Sequence, residues 1–334
     1  MKTISNKVKQ FVVAAEQMKY KEPSHSRLAV ILVDNILELE IHDICENEFA
    51  RESMWGGWRS SKYTESEKNE VLGQYFDKKI NFIRKLKFLS NEEADFILIC
   101  HQYRNELYHR GIQKEDIISH IANEYYSFAC DFYKRNKPRR YCSGGSGIAF
   151  AEKFLLTLIN KPKDFSPFSN DWKELWDSLE SKRISLGNDF RQVLSTHLIE
   201  RFQTVNGLID YVKNGGQQEF ETPDDYVKHT QVWRFFLQDD GKEFIKRNMS
   251  SGKYSVQEGI NFLLKNWRAN YKYSDIARWE KRAEALRHEK DKFILLKKFD
   301  KILKEFEPFE ELIMEDAEAF NRWVDQQIDE MRGK

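Results

Sequence analysis

The chain is poor in helix breakers, with six prolines and 15 glycines in 334 residues. Long segments therefore run uninterrupted, and their apolar residues recur at helical rather than alternating spacing. Nothing reads as a β-sheet, and no internal repeat is visible. No apolar run approaches the roughly 20 residues that span a bilayer, so no membrane segment is expected. The start "MKTISNKVKQFVVAAEQ" carries only a short apolar stretch before Glu16, too short for a signal peptide. Cysteines number four, Cys45, Cys100, Cys130 and Cys142, without C-x-x-C spacing. Three lie on apolar helical stretches and read as small core residues in a reducing cytoplasm. The eight histidines show no H-E-x-x-H or similar metal spacing. No esterase or protease nucleophile motif is present. Neither a metal nor a cofactor is expected. An excess of one charge is also missing, since Lys+Arg and Asp+Glu are both 54. Nucleic-acid contact would have to come from a local patch.

The pattern predicts an all-α fold. Helices are expected near 2–20, 25–50, 65–89, 91–110 and 114–135. Further ones follow near 148–160, 169–214 with a break at Gly187, 224–238, 240–248, 255–270, 275–304 and 308–332. Ser90 with Glu93 three residues on forms a capping-box pattern. Gly111 is a natural helix stop. The stretch "KRNKPRRYCSGGSG" combines a basic run, a proline and a Gly/Ser cluster, as a boundary does. This divides the chain into a bundle at 1–136, a linker at 137–147 and a second helical domain at 148–334.

In the second expected helix, "LAVILVDNILELEI" is apolar almost all round, the mark of burial on several sides. Asp34 and Glu38 interrupt it at i,i+4 and share a face. A buried carboxylate is costly unless paired, so either an arginine answers these acids or they face solvent. The fourth expected helix ends in "RNELYHRG". Phe96, Cys100, Tyr103 and Leu107 form one stripe, and Ile97, His101, Arg104 and Tyr108 its neighbour. His109 lies about 140° round an ideal helix from Arg104. Two copies related by a two-fold axis would bring such residues to one phosphate.

The chemistry suits RNA, which carries its own nucleophile in the 2′-hydroxyl. Histidine exchanges a proton near neutral pH, and arginine's planar fork holds phosphate charge. Here "RNELYHRG", closing an apolar helix and followed by another, resembles the R-x(4–6)-H signature of the HEPN superfamily. These are α-helical bundles, many of them metal-independent endoribonucleases. The resemblance covers about residues 20–136. It implies catalytic roles for Arg104 and His109; beside it, Asn105 and Tyr108 are expected to orient or support them, and Asp34 and Glu38 to position Arg104. It implies a homodimer through the N-terminal bundle and an RNA substrate. It also implies a cytoplasmic toxin or antiviral-defence effector. Arg110, Arg139 and Arg140 are expected to bind RNA, and 148–334 to hold a regulatory or partner- and inhibitor-binding role. The alternatives are a non-catalytic dimerisation or partner-binding module of a defence or toxin–antitoxin complex, and a regulatory subunit docking on a nucleotidyltransferase or similar partner.

Two further pairs match the loose spacing, Arg191–His197 and Arg282–His288. The first lacks the asparagine and the terminating glycine, and the second lies in "EKRAEALRHEKDK", which reads as a solvated face. "CSGGSGIAF" lacks the Walker lysine. Trp55 and Trp58 in "MWGGW" are candidates for base stacking, against the simpler reading that they fold back onto the bundle.

Overall fold

The computed structural model describes residues 2–55, 62–109, 115–137, 153–161, 165–166, 169–215, 220–249 and 254–333. Among them are fourteen α-helices and no strand, so the all-α class holds. No helix of the described residues is long and apolar enough to cross a membrane. Two compact units divide the chain. One takes Met1–Val193 and Asp291–Lys297, the other Leu194–Lys290 and Lys298–Lys334.

The first unit contains α1 (Lys2–Met18), α2 (Pro23–Trp55), α3 (Glu65–Leu72), α4 (Phe76–Lys85), α5 (Asn91–His109) and α6 (Glu115–Arg135). Two shorter helices follow, α7 (Lys153–Leu158) and α8 (Asp171–Glu180). Pro23 opens α2 where its missing N–H costs nothing. This helix is the spine, packed against α1, α4, α5 and α6. Ala29, Val30, Val33, Ile36, Leu37 and Ile41 on it are wholly buried, while Leu28 and Leu39 are exposed. The stripe is broad but does not close round the helix. The expected helix 65–89 is two, because the chain turns extended at Gly73 after α3. Cys45, Cys100 and Cys130 are buried free thiols. Burial pushes Cys45 up to about 12, so it is an inert core residue.

This unit runs past 136, where the basic linker suggested a boundary. The Trp172 indole donates to the Tyr133 carbonyl at 2.9 Å. The Tyr126 hydroxyl donates to the Leu179 carbonyl at 2.9 Å. Trp176 stacks on Tyr133 with centroids 4.5 Å apart and meets Phe11 edge-on at 5.0 Å. Two buried tryptophans have large apolar area, so α8 completes the bundle's core. Linker composition does not report where the chain after it packs.

The second unit holds most of α9 (Phe190–Gly215), then α10 (Pro223–Leu237), α11 (Asp239–Asn248), α12 (Val256–Asn266) and α13 (Asp275–Ala285). It also takes most of α14 (Lys292–Met331). The expected break near Gly187 falls between α8 and α9. The expected helices 275–304 and 308–332 are divided elsewhere. Asp291 caps α14, accepting from the Phe293 and Ile294 amides at 2.8 and 3.1 Å. That helix then continues through Pro308. A proline inside a helix costs roughly 3 kcal/mol. Buried Phe306, Phe309 and Ile313 on either side of it offset that cost. Phe306 lies 4.6 Å from Phe202 and 5.4 Å from Trp279.

Gly241 shows a close approach inside this unit. A Cβ there would overlap the Phe235 carbonyl oxygen and lie 2.6 Å from its carbon. Alanine ordinarily gains about 1 kcal/mol over glycine within a helix. Gly241→Ala is expected to do the reverse, destabilising the unit by about 1–3 kcal/mol through backbone displacement. A melting curve unchanged or shifted upward would show that α10 and α11 are not held this tightly.

Candidate functional site

The Ser90–Glu93 box forms in both directions and starts α5. The Ser90 amide donates to Glu93 at 2.9 Å and the Glu93 amide to the Ser90 hydroxyl at 3.1 Å. Phe96, Cys100 and Tyr103 are buried as the expected stripe. The neighbouring stripe carries the polar groups. Along it α5 faces α2, and the two helices meet at Asp34.

Asp34 is wholly buried. Its Oδ1 accepts from the Tyr125 hydroxyl of α6 at 2.8 Å. Its Oδ2 lies 2.9 Å from His101 Nδ1, so the tautomer protonated there donates to it. The same oxygen is 3.5 Å from Arg104 Nε, and the arginine side chain is 26% exposed. Arg104 Nη1 also donates to the Asn105 side-chain oxygen at 2.9 Å. Burial first, and then the charge of Asp34, hold the Tyr125 hydroxyl far above its ordinary pKa, so it remains a donor. A carboxylate taken out of water is thus answered by three groups from two helices. The guanidinium is aimed rather than free to wander.

Of the two sequence alternatives for Asp34, pairing with an arginine is the one observed. Glu38 is half-buried beside it. Asn105 is half-buried, with its side-chain oxygen accepting from Arg104. Helix α5 runs unbroken through His109, so the angular separation of positions 104 and 109 applies. The side chains of Tyr108 and His109 lie outside the described residues, as do Arg110, Arg139, Arg140, Trp55, Trp58, Cys142 and the stretch "CSGGSGIAF". The described start of the basic run is already engaged. Lys134 pairs with Asp177, and Arg135 with Glu93 at 2.7 Å and Asp131 at 2.8 Å.

His101 and Tyr125 were given no role by the sequence. The signal for His101 was its place one turn before Arg104, on the stripe facing α2. Tyr125 has no local signal, because it is 91 positions from Asp34. Asp34, Glu38 and His101 also offer ligand atoms within 4.8 Å of one another, a grouping that spacing along the chain does not disclose. Both oxygens of Asp34 are already engaged, and a dication would sit beside the Arg104 charge. The cluster suits an arginine-holding network better than a metal centre.

The other motifs fall elsewhere. Arg191 is half-buried and pairs with Asp189, its Nε 3.0 Å from both carboxylate oxygens. His197 is buried, 5.8 Å from the Phe299 ring. Arg282 is not on a free solvated face but pairs with Glu305, Nη2 to Oε1 at 3.3 Å, while His288 is exposed. Helix periodicity predicted the turn Arg282 occupies but not the partner brought from α14. No family model matches the chain, and neither a curated protein nor a solved structure matches it.

Proposed function

We propose that the protein is a cytoplasmic, metal-independent endoribonuclease of HEPN type, acting as a toxin or antiviral-defence effector. Arg104 stabilises phosphate charge, His109 exchanges the proton, and the RNA 2′-hydroxyl attacks the adjacent phosphorus. The 5′-oxygen leaves, giving a 2′,3′-cyclic phosphate and a 5′-hydroxyl end. Two bundles supply the site across a two-fold contact, with Asn105 and Tyr108 in support. Arg110, Arg139 and Arg140 bind the RNA backbone, and residues after the bundle bind a partner or trigger.

The observation that carries this reading is Arg104. It is held by the buried Asp34 and by Asn105, yet is 26% exposed, on the helix that runs on through His109. An oriented, part-exposed guanidinium is what phosphate stabilisation needs. The same pairing supports a second reading, in which Arg104 only balances a buried acid within a dimerisation or partner-binding module.

The test is cleavage of labelled RNA by purified protein, with the ends of the products analysed. Activity is expected to survive EDTA and to leave cyclic phosphates. Loss in chelator alone would redirect attention to Asp34, Glu38 and His101 as metal ligands. Arg191→Ala, Arg282→Ala and His288→Ala are expected to retain cleavage, as is His197→Ala where it folds. A folded His197→Ala without activity would move the site to the other half of the chain. Arg104→Lys separates the two readings, since lysine keeps the charge opposite Asp34 but lacks the fork.

A further inference from the structure

The second unit contains a cavity of about 350 Å³, in the range of small-molecule sites. It lies far in sequence from Arg104 and does not depend on the ribonuclease reading. Helix α10 contributes Tyr226, Thr230 and Trp233, and α14 contributes Asp316, Phe320 and Trp323. Both sets have i, i+4, i+7 spacing, which places each on one helix face. Aliphatic residues on two such faces would interdigitate and close the gap. Here large rings and a carboxylate line it instead, and a space remains.

The polar chemistry of the cavity has one sign. Asp316 Oδ2 accepts the Tyr226 hydroxyl at 2.7 Å and the Thr230 hydroxyl at 3.4 Å. Its Oδ1 has no hydrogen bond, and the residue no ion pair, among the described residues. Arg234 near by is spent on Glu315 at 2.8 Å. No lysine or arginine is among the described residues that line the cavity. His229 lines it too, but burial depresses its pKa against the pull of Asp316, which disfavours its charged form. Phe220 closes one side, 5.5 Å from Tyr226 and 5.3 Å from His229.

A half-buried carboxylate with a spare oxygen, lined by aromatic side chains and with no cation among the described lining residues, is complementary to a positive charge that is weakly hydrated. We propose that this cavity binds a small organic cation of the quaternary or alkylammonium class, with its charge beside Asp316 Oδ1 and its alkyl groups against Trp233, Phe320 and Trp323. A nucleotide is a poorer fit, because its phosphates would meet Asp316 with no cation among the described lining residues to receive them.

Calorimetric titration of the full chain tests this, with choline against its neutral isostere 3,3-dimethylbutan-1-ol. Choline is expected to bind at least about tenfold more tightly, since the two differ in charge and scarcely in shape. Asp316→Asn keeps an oxygen for Tyr226 and Thr230 and is expected to lose about tenfold in choline affinity. Trp233 is 41% exposed, so Trp233→Ala is expected to weaken binding several-fold with an unchanged melting curve. Equal affinity for the two isosteres, or unaltered choline binding by a folded Asp316→Asn, would overturn the proposal. So would guanosine binding where choline, tetramethylammonium and agmatine all fail. Binding to phosphatidylcholine vesicles without binding of free choline would overturn the small-molecule assignment.

Discussion

His109→Ala is expected to abolish RNA cleavage while leaving helicity unchanged. A positioned acid or base contributes about 10²- to 10⁴-fold, so the loss should be total in an ordinary assay. Arg104→Ala is expected to match it in activity, at some cost in stability. It removes the charged partner of Asp34, although His101 and Tyr125 remain on that carboxylate. Arg104→Lys should be nearly as stable as the parent and still inactive. The proposed shared site adds a sharper expectation. Mixing His109→Ala protomers with wild type should lower activity more than dilution does, because heterodimers would lack one of two histidines. Full activity in purified His109→Ala would sink the assignment. A strict monomer cleaving RNA at full rate would refute the composite site. A stable, fully active Arg104→Lys would mean that charge alone suffices there.

The second large effect is on the fold. Asp34→Ala is expected to destabilise the first unit by about 3 kcal/mol. It strands the buried Tyr125 hydroxyl, worth about 1–3 kcal/mol, and leaves Arg104 without its buried counter-charge. The part-exposed guanidinium can turn toward water, which limits the second contribution. The two units need not unfold together. Amide exchange of α2 and α6 under denaturant therefore reports the loss better than a single global curve. A cost below about 1 kcal/mol, the scale of one ordinary hydrogen bond, would mean that Asp34 does not organise this end of the bundle. Asp34→Asn keeps an oxygen for Tyr125 and removes the charge. If Asp34 positions Arg104 for catalysis, that variant should cleave slowly while remaining folded.

Several parts of this molecule were legible without coordinates because their causes are local. The helical class follows from apolar spacing in long segments with few breakers. The Ser90–Glu93 box is written in four consecutive positions. Asp34 and Arg104 announced themselves as charges on apolar helices, where burial demands a partner. Other features depend on which distant segments meet, and no window along the chain contains that. Pro308 reads as a stop, yet α14 passes through it because Phe306, Phe309 and Ile313 are buried. The linker read as the end of the bundle, yet Trp172 and Trp176 carry α8 back onto α6. By itself, then, the sequence determined the helical class, the Ser90–Glu93 cap and the need for Asp34 and Arg104 to be answered. The expected approach of Arg104 to Asp34 is present, and only the tertiary structure joined His101 and Tyr125 to it. It alone brought Asp316 among the rings of α10 and α14. A side chain's need for a partner is a property of its own chemistry, but the partner's identity is set by packing between segments about 70–90 residues apart, which the local pattern leaves open.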